Sequence, residues 1–499
     1  MKKLEQYFQN FRRNIIGSQL TYNMNGEPRN IIYADWAASG RLYRPIEQYI
    51  HEELGPFVAN THTEATLTGT VMTHAYHQAG DIIKRHVNAG PDDVLLCAGF
   101  GMTAVINKFQ RILGLKAPEK LLPHLKNMPR QKPLVIITHM EHHSNQTTWE
   151  ECLVDVAIVR RAENGLPDLE HLRQILDENV DRSLLIGSFS ACSNVTGITT
   201  PYHQMAALMH EHGGYCFVDF SASAPYVDID MHPAQTGHHL DAVFFSPHKF
   251  LGGPGSSGVI IFNKELYQNA IPDHPGGGTV LWTNPWGGHR FFDDIEVRED
   301  GGTPGFLQAI RTALAILLKE EMGVDNITRR EHYLCEMLMS RLDGIDGVFM
   351  LEGHERNRVG FISFYSVGVH HNLIVQALND FFGIQTRGGC SCAGTYGHVL
   401  LDIDAETSRE ITDMIDNGDL SRKPGWVRIS LHPTMLDTEV NFIADAIGEI
   451  MGNPDHYAAA YDFDRQSGNF TRKDGWRPVV NIRETFMGRI AFHPSEAKI

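Results

Sequence analysis

Residues 241–258 read DAVFFSPHKFLGGPGSSG. Lys249 follows the apolar run Ala242–Phe245, stands beside His248, and enters a loop holding Gly252, Gly253, Gly255 and Gly258. Lysine is almost never fully buried unless it is paired or employed. At the end of a buried strand its amine can form a Schiff base with an aldehyde, once burial and neighbours lower its pKa. Upstream, Asp219 closes YCFVDF, a strand otherwise too apolar for a charge. An unpaired carboxylate there is costly, so the position predicts a cationic partner. A protonated pyridine nitrogen meets that need and makes its ring an electron sink. Taken alone, Asp219 reads equally well as a helix cap. Taken together, the lysine and the aspartate describe the requirements of pyridoxal 5′-phosphate (PLP).

Other residues supply what such a cofactor and its substrate require. GFGMTAVINK gives glycines, then Met102 and Thr103 at a predicted helix start, where free amides and the helix dipole favour an anion. Ser246 and His248 can add side-chain donors to the same phosphate. THMEHHSNQ offers His139, His142 and His143, but no matching ligand set accompanies them at metal spacing, so no metal is read there. One histidine stacked on the cofactor ring is the preferred reading. TRGGCSCAGTYGH (386–398) puts Arg387 and the thiols of Cys390 and Cys392 on one glycine-rich loop. A guanidinium suits bidentate capture of an amino acid's carboxylate, and Arg428 of VRISL can share the task. Reactive thiols sit in exposed electropositive surroundings, which favours a working cysteine over an inert pair.

These groups need a frame. Apolar runs at 94–101, 134–144, 183–194, 215–223 and 242–249 alternate with helical patterns at 103–115, 168–178 and 202–213. That alternation predicts an α/β fold with a large, mostly parallel sheet covered on both faces. In such sheets ligands bind beyond the carboxyl ends of the strands, where Thr103, His142, Asn194, Asp219, His248 and Lys249 fall. Beyond 316 the pattern changes. A long helix-like stretch (306–342) precedes strand and helix signals at 359–367, 371–384 and 425–431, predicting a smaller α+β domain. The division expected is 31–315 for the large domain, and 1–30 with 316–499 for the small one, its N-terminal arm and its C-terminal extension. Residues 117–133 read as an inserted surface loop, and the tail after 453 gives no pattern.

Bulk properties narrow the partners. The 499 residues carry 43 Lys+Arg against 60 Asp+Glu, a net charge of −17, which disfavours nucleic acid or an anionic membrane. No apolar run approaches a membrane span, and MKKLEQYFQNFRRNIIG has no secretory h-region. Seven scattered cysteines suit a reduced, cytoplasmic setting better than a disulfide framework.

The pieces YADWAAS, NTH (60–62), MEHHSN, SNVTG, VDFSASAP, SPHK, GGTP, RGGCSCAG and VRISL occur in that order across residues 31–433. In them the chain resembles the class V group of fold-type I PLP-dependent transferases, in its cysteine desulfurase and selenocysteine lyase branch. The resemblance implies Lys249 as the Schiff-base lysine, Asp219 on the pyridine nitrogen and His142 stacked on the ring. It implies Asn194 near the ring hydroxyl, and Thr103, Ser246 and His248 at the phosphate, with Met102 beside them. Ala38, Asn60 and His62 join Arg387 and Arg428 on the substrate side. Thr303 of GGTP would reach the neighbouring subunit's phosphate, which makes a homodimer part of the expectation. In the family the reactive cysteine lies five residues after such an arginine and precedes alanine; Cys392 fits both conditions and Cys390 neither. The implied reaction removes sulfur from L-cysteine, or selenium from selenocysteine, through an enzyme persulfide, with alanine as product and a protein sulfur acceptor as a further partner. Two positions depart from the family pattern. Ala222 stands where a glutamine usually meets the ring oxygen, and Met102 and Ala104 replace the usual acid or threonine of the phosphate turn. Competing readings are another PLP reaction on a small amino acid (transamination, elimination or epimerisation) and a PLP-binding interaction protein without turnover.

Overall fold

The computed structural model describes residues 2–24, 27–61, 63–125, 131–476 and 480–490. Seven strands form its central sheet: β1 (Asp93–Ala98), β2 (Leu134–Thr138), β3 (Asp155–Val159), β4 (Leu185–Ser190), β5 (Tyr215–Asp219), β6 (Ala242–Phe245) and β7 (Gly258–Asn263). Their spatial order is β1-β7-β6-β5-β4-β2-β3. From β6 through β3 every pairing is parallel, whereas β7 runs antiparallel to both β6 and β1. Every residue of β2, β4 and β6 is buried, as strands covered on both faces must be. Helices α1 (Met102–Ile112) and α2 (His143–Glu150) cover one face through Val105, Phe109 and Trp149. Helices α3 (Leu169–Asp177) and α4 (Tyr202–Glu211) cover the other through Leu172, Met205 and Met209.

The stretch 306–342 is two helices, α5 (Phe306–Met322) and α6 (Val324–Leu342). Gly323 separates them at φ +71, a conformation that costs glycine nothing and most residues dearly. The expected domain junction at 315/316 therefore falls inside α5. A second sheet of β8 (Val348–Met350), β9 (Phe361–Ser366), β10 (Arg387–Gly389) and β11 (Trp426–Ser430) is wholly antiparallel, in the order β8-β9-β11-β10. Helices α7 (His371–Phe382) and α8 (Asp437–Gly452) pack on it through Ile374, Leu378, Ile443 and Ile447. The chain's start is stitched to this unit. Ile32–Tyr33 pairs in parallel with Ile384–Gln385, and Asp35 bridges to Ser430. The tail contributes a hairpin, Tyr461–Asp464 against Asn469–Arg472, that clasps α7 at buried Asp380. Of the insertion, 119–124 form a 3-10 turn, and 126–130 lie outside the described residues. Among the described residues no helix is long and apolar enough to cross a membrane.

Candidate active site

A cleft of about 810 Å³, counted to its open mouth, lies where the carboxyl ends of the central strands meet the antiparallel sheet. That location is the one topology favours for ligands in an open α/β sheet. β6 ends at Phe245, and Ser246 and a single 3-10 turn, Pro247–Lys249, carry the chain outward. Lys249 lines the cleft, its backbone N–H donating to the Ser246 carbonyl at 3.1 Å, while its ammonium makes no hydrogen bond or ion pair with any described residue. Burial draws its ammonium down to about 8, against the raising pull of Asp219, with Arg428 adding to the fall. The backbone around the lysine is tightly packed: a Cβ at Gly40 would stand 1.9 Å from the Phe250 carbonyl oxygen and 3.0 Å from that of Lys249.

Asp219 closes β5 on the cleft floor. It is buried, its Oδ1 accepts the Ser221 N–H at 2.8 Å, and no described cation lies in ion-pair reach. Burial pushes its carboxyl upward, opposed by the Ser221 bonds and Lys249. A buried acid without a cation, at the base of an open cleft, has the chemistry of a site for a cationic ring. Asn194 sends its Nδ2 to the Ser391 carbonyl at 2.7 Å, while its buried Oδ1 has no partner. A buried acceptor left without a donor is costly, so it too points to a bound group.

His142 caps α2, its Nδ1 accepting the Ser144 N–H at 3.1 Å, so its ring proton lies on Nε2. Burial, then the charge of Lys249, pushes its pKa down to about 3, and the ring is neutral at ordinary pH. At the start of α1 the Met102 N–H donates to Ser246 Oγ at 2.9 Å, and Thr103 and Ser144 hydroxyls meet at 2.7 Å. His248 is drawn down to about 4, by burial first and then Lys249. A Cβ at Gly101 would stand 3.2 Å from both Ser246 Oγ and the His248 ring, so glycine keeps this cradle open.

Across the cleft, β10 and β11 present Arg387 and Arg428 opposite one another. Asp35 holds both: Arg428 Nη2 donates to Oδ1 at 2.8 Å and Arg387 Nε to Oδ2 at 3.3 Å. Arg428 is buried and also donates to the Asn194 carbonyl at 3.0 Å, whereas the Arg387 side chain is 46% exposed. The Cys392 loop is held in left-handed backbone, with Gly389 at φ +96, Ser391 at +51 and Cys392 at +59. Three bonds secure it besides that of Asn194: Trp426 Nε1 to Ser391 Oγ, the His143 N–H to the Cys392 carbonyl, and the Gly394 N–H to His143 Nε2. Cys392 is exposed and lines the cleft; Cys390 is half-buried and does not.

The cleft thus collects Ala38, Met102, Thr103, His142, Asn194, Asp219, Ser246, His248, Lys249, Arg387, Cys392 and Arg428. Asn60 and Thr303 do not line it. Both are exposed, and Thr303 stands on the surface loop before α5. His62 lies outside the described residues. His139 points away, its ring edge against Tyr396, and burial draws its pKa to about 4. Sequence reasoning missed Asp35, which holds both arginines, and the cleft-lining Ser144, Ser190 and Cys192. Only Asp35 carries a signal, as an acid ending a strand-like segment, and its two arginine partners lie far along the chain.

A family model described as Aminotransferase class-V matches residues 32–442. The chain belongs to the class-V aminotransferase family. A probable cysteine desulfurase of Halalkalibacterium halodurans is 26% identical to this class-V chain over 382 residues, covering 75% of it and 86% of the relative. One of the same name from Staphylococcus aureus is 25% identical over 378 residues, covering 75% and 85%. Among solved structures, the apo cysteine desulfurase of Thermococcus onnurineus NA1 superposes with a TM-score of 0.71 at 20% identity, covering 89% of this chain and 98% of that one. The cysteine desulfurase CsdA of Escherichia coli, in an S-sulfonic acid form, gives 0.64 at 21% identity, covering 84% and 94%. These likenesses show the fold, that of the fold-type I enzymes, and the class-V family makes the chain an enzyme.

Proposed function

We propose that this class-V enzyme is a PLP-dependent cysteine desulfurase that takes sulfur from L-cysteine, or selenium from selenocysteine, leaving alanine and a persulfide on Cys392. The observation that carries the reading is the meeting in one cleft of Lys249, Asp219 and His142 with Arg387 and the exposed thiol of Cys392. The names of the sequence relatives support it.

The residues present fit the cofactor. Asp219 lacks a cation that a pyridinium supplies, Asn194 Oδ1 lacks a donor that a ring hydroxyl supplies, and His142 offers a neutral ring for stacking. Thr103, Ser246 and His248 would hold the phosphate at the head of α1. When bound, PLP supplies an electron sink for negative charge at the substrate's α-carbon.

The chain's own groups do the rest. Arg387, exposed and only loosely held by Asp35, is the guanidinium able to turn to the substrate carboxylate; Arg428, fixed by Asp35 and the Asn194 carbonyl, backs it with charge. Lys249, with its ammonium lowered to about 8, carries a proton to and from the α-carbon near neutral pH. Cys392 Sγ attacks the substrate sulfur. The S–S bond forms as the C–S bond breaks, the freed carbon takes up a proton, and alanine departs. Thiol plus cysteine gives persulfide plus alanine, so no external oxidant enters. We also propose a homodimer in which Thr303 reaches the neighbouring phosphate site.

A product assay with L-cysteine and a reductant tests the reading. The wild type should release sulfide and alanine in equal amounts. Cys392→Ala should lose sulfide release by roughly 100-fold or more while still binding PLP, and Cys390→Ala should be milder. A Cys392→Ala enzyme equal to wild type, with keto-acid output exceeding alanine, would replace desulfuration by transamination.

A further inference from the structure

At the amino ends of β5 and β6, the opposite end of the sheet from the cleft, three ligand-bearing side chains converge. His210 ends α4, and His239 and Asp241 lead into β6. Their ligand atoms all lie within 4.8 Å of one another. Asp241 is 4% exposed, and its Oδ2 accepts the Cys216 N–H at 2.7 Å. His210 Nε2 stands 2.9 Å from that same Oδ2, and His239 Nε2 is 3.7 Å from Oδ1.

The backbone contact at Nδ1 fixes which ring atom of His210 faces Asp241. His210 Nδ1 lies 2.6 Å from the Gly237 carbonyl oxygen, which can only accept, so Nδ1 carries a proton. In the neutral ring Nε2 is then a lone pair, aimed at a carboxylate oxygen at hydrogen-bond distance. That contact is satisfied either by a second ring proton, which makes an ion pair with Asp241, or by a metal ion that takes both atoms as ligands. A backbone carbonyl on Nδ1 that turns Nε2 toward an ion is also the arrangement that orients metal-ligating histidines. His239 stacks on His210 with ring centroids 3.9 Å apart and planes within 10°. In that pose the ring lone pairs run side by side, so capture of an ion requires His239 to turn, and its 44% exposed side chain has room to do so.

We propose that His210, His239 and Asp241 bind a divalent transition-metal ion, zinc above all, with water completing the shell. Two imidazoles and a carboxylate are the donor set zinc accepts, at ligand distances near 2.0–2.2 Å. The hard-cation alternatives, magnesium and calcium, prefer all-oxygen shells. Because the ion sits at the far end of the strands from Lys249, its role is to fix the 231–241 loop to α4 and the sheet, independently of the reaction in the cleft.

The test is zinc titration by calorimetry of untagged, chelator-treated full-length protein, with cobalt as a spectroscopic probe. Wild type should take up one equivalent outside the cleft. His239→Ala and His210→Ala should each weaken that binding by about tenfold or more. A Cys390→Ser/Cys392→Ser variant should retain it, and the cobalt form should show ligand-field bands without thiolate-to-metal charge transfer. Asp241→Asn is a poorer probe, because it also disturbs the buried Cys216 bond; His239 is exposed enough to change without disturbing the fold. Binding that survives both histidine changes, binding that vanishes with the cysteines, or no uptake by wild type would each overturn the proposal.

Discussion

Lys249 makes a measurable demand on the fold around it. Its ordinary value is 10.5 and burial lowers it to about 8, so between these values the unfolded chain holds a proton that the folded chain has released. Where the unfolded state binds more protons, stability rises with pH, so this group's effect improves from about pH 8 to 10.5. Below 8 both states are protonated and the whole cost of burying the ammonium is present, on the order of 1–3 kcal/mol after allowance for its partial exposure. In protein prepared without cofactor, Lys249→Met should therefore be more stable than wild type by about that amount at pH 7, an advantage that shrinks by pH 10. Urea unfolding at the two pH values measures it, and parallel wild-type and variant profiles would contradict the burial cost. The same conflict with its surroundings made this residue legible in the sequence: a lysine at a buried strand end and an acid closing an apolar strand are each out of place until a ligand joins them. Asp35 had no such mark. It pairs with arginines 352 and 393 positions away, a proximity that only the fold creates.

At the scale of elements, the parallel strands and their helices could be read because buried runs and amphipathic periods are local signals. β7 was not read. Its GVIIFN follows directly on the glycine-rich loop, and nothing local says that it returns antiparallel between β6 and β1. Nor did the tail hairpin show itself, because YDFD and NFTR are short and charged and gain their order from Asp380 on α7. The Cys392 loop combines both cases. Its thiol was legible; its left-handed backbone and its anchors on α2, β11 and Asn194 were not. His143 anchors the loop twice, through its N–H on the Cys392 carbonyl and its Nε2 under the Gly394 N–H. His143→Ala removes the second bond and leaves Ser391 and Cys392 to relax from positive φ, where each residue stores about 1 kcal/mol or more. Misplacing the thiol by an ångström should lower kcat with L-cysteine by roughly 10- to 100-fold, with PLP content unchanged. A variant whose cofactor content falls together with its rate would mean that His143 serves the fold and not the thiol.

At the scale of the whole molecule, the surface carries apolar area that a single chain leaves uncovered. The hairpin of Val280–Thr283 and His289–Phe291 exposes Leu281, Trp282 at 48% and Trp286 at 88%. Thr303 belongs to the same surface: the Gly302 N–H bonds the Gly277 carbonyl at 2.8 Å, tying the GGTP loop to the segment that enters the hairpin. Clustered exposed tryptophans are unusual on a monomer, and tryptophan is the residue type that anchors interfaces. A chain with net charge −17 must also overcome mutual repulsion to pair, which places the burden of association on such apolar contacts. If the hairpin lies in a dimer interface that brings Thr303 to the partner's phosphate site, association and turnover are coupled. A Trp282→Ser/Trp286→Ser enzyme should then shift from dimer to monomer in light scattering, and its specific activity should fall on dilution while that of wild type holds. Cofactor affinity should fall in step, since each site would lose the threonine hydroxyl supplied in trans. A wild type that scatters as a monomer at full activity would remove the interface from this account and leave the cleft of the single chain sufficient.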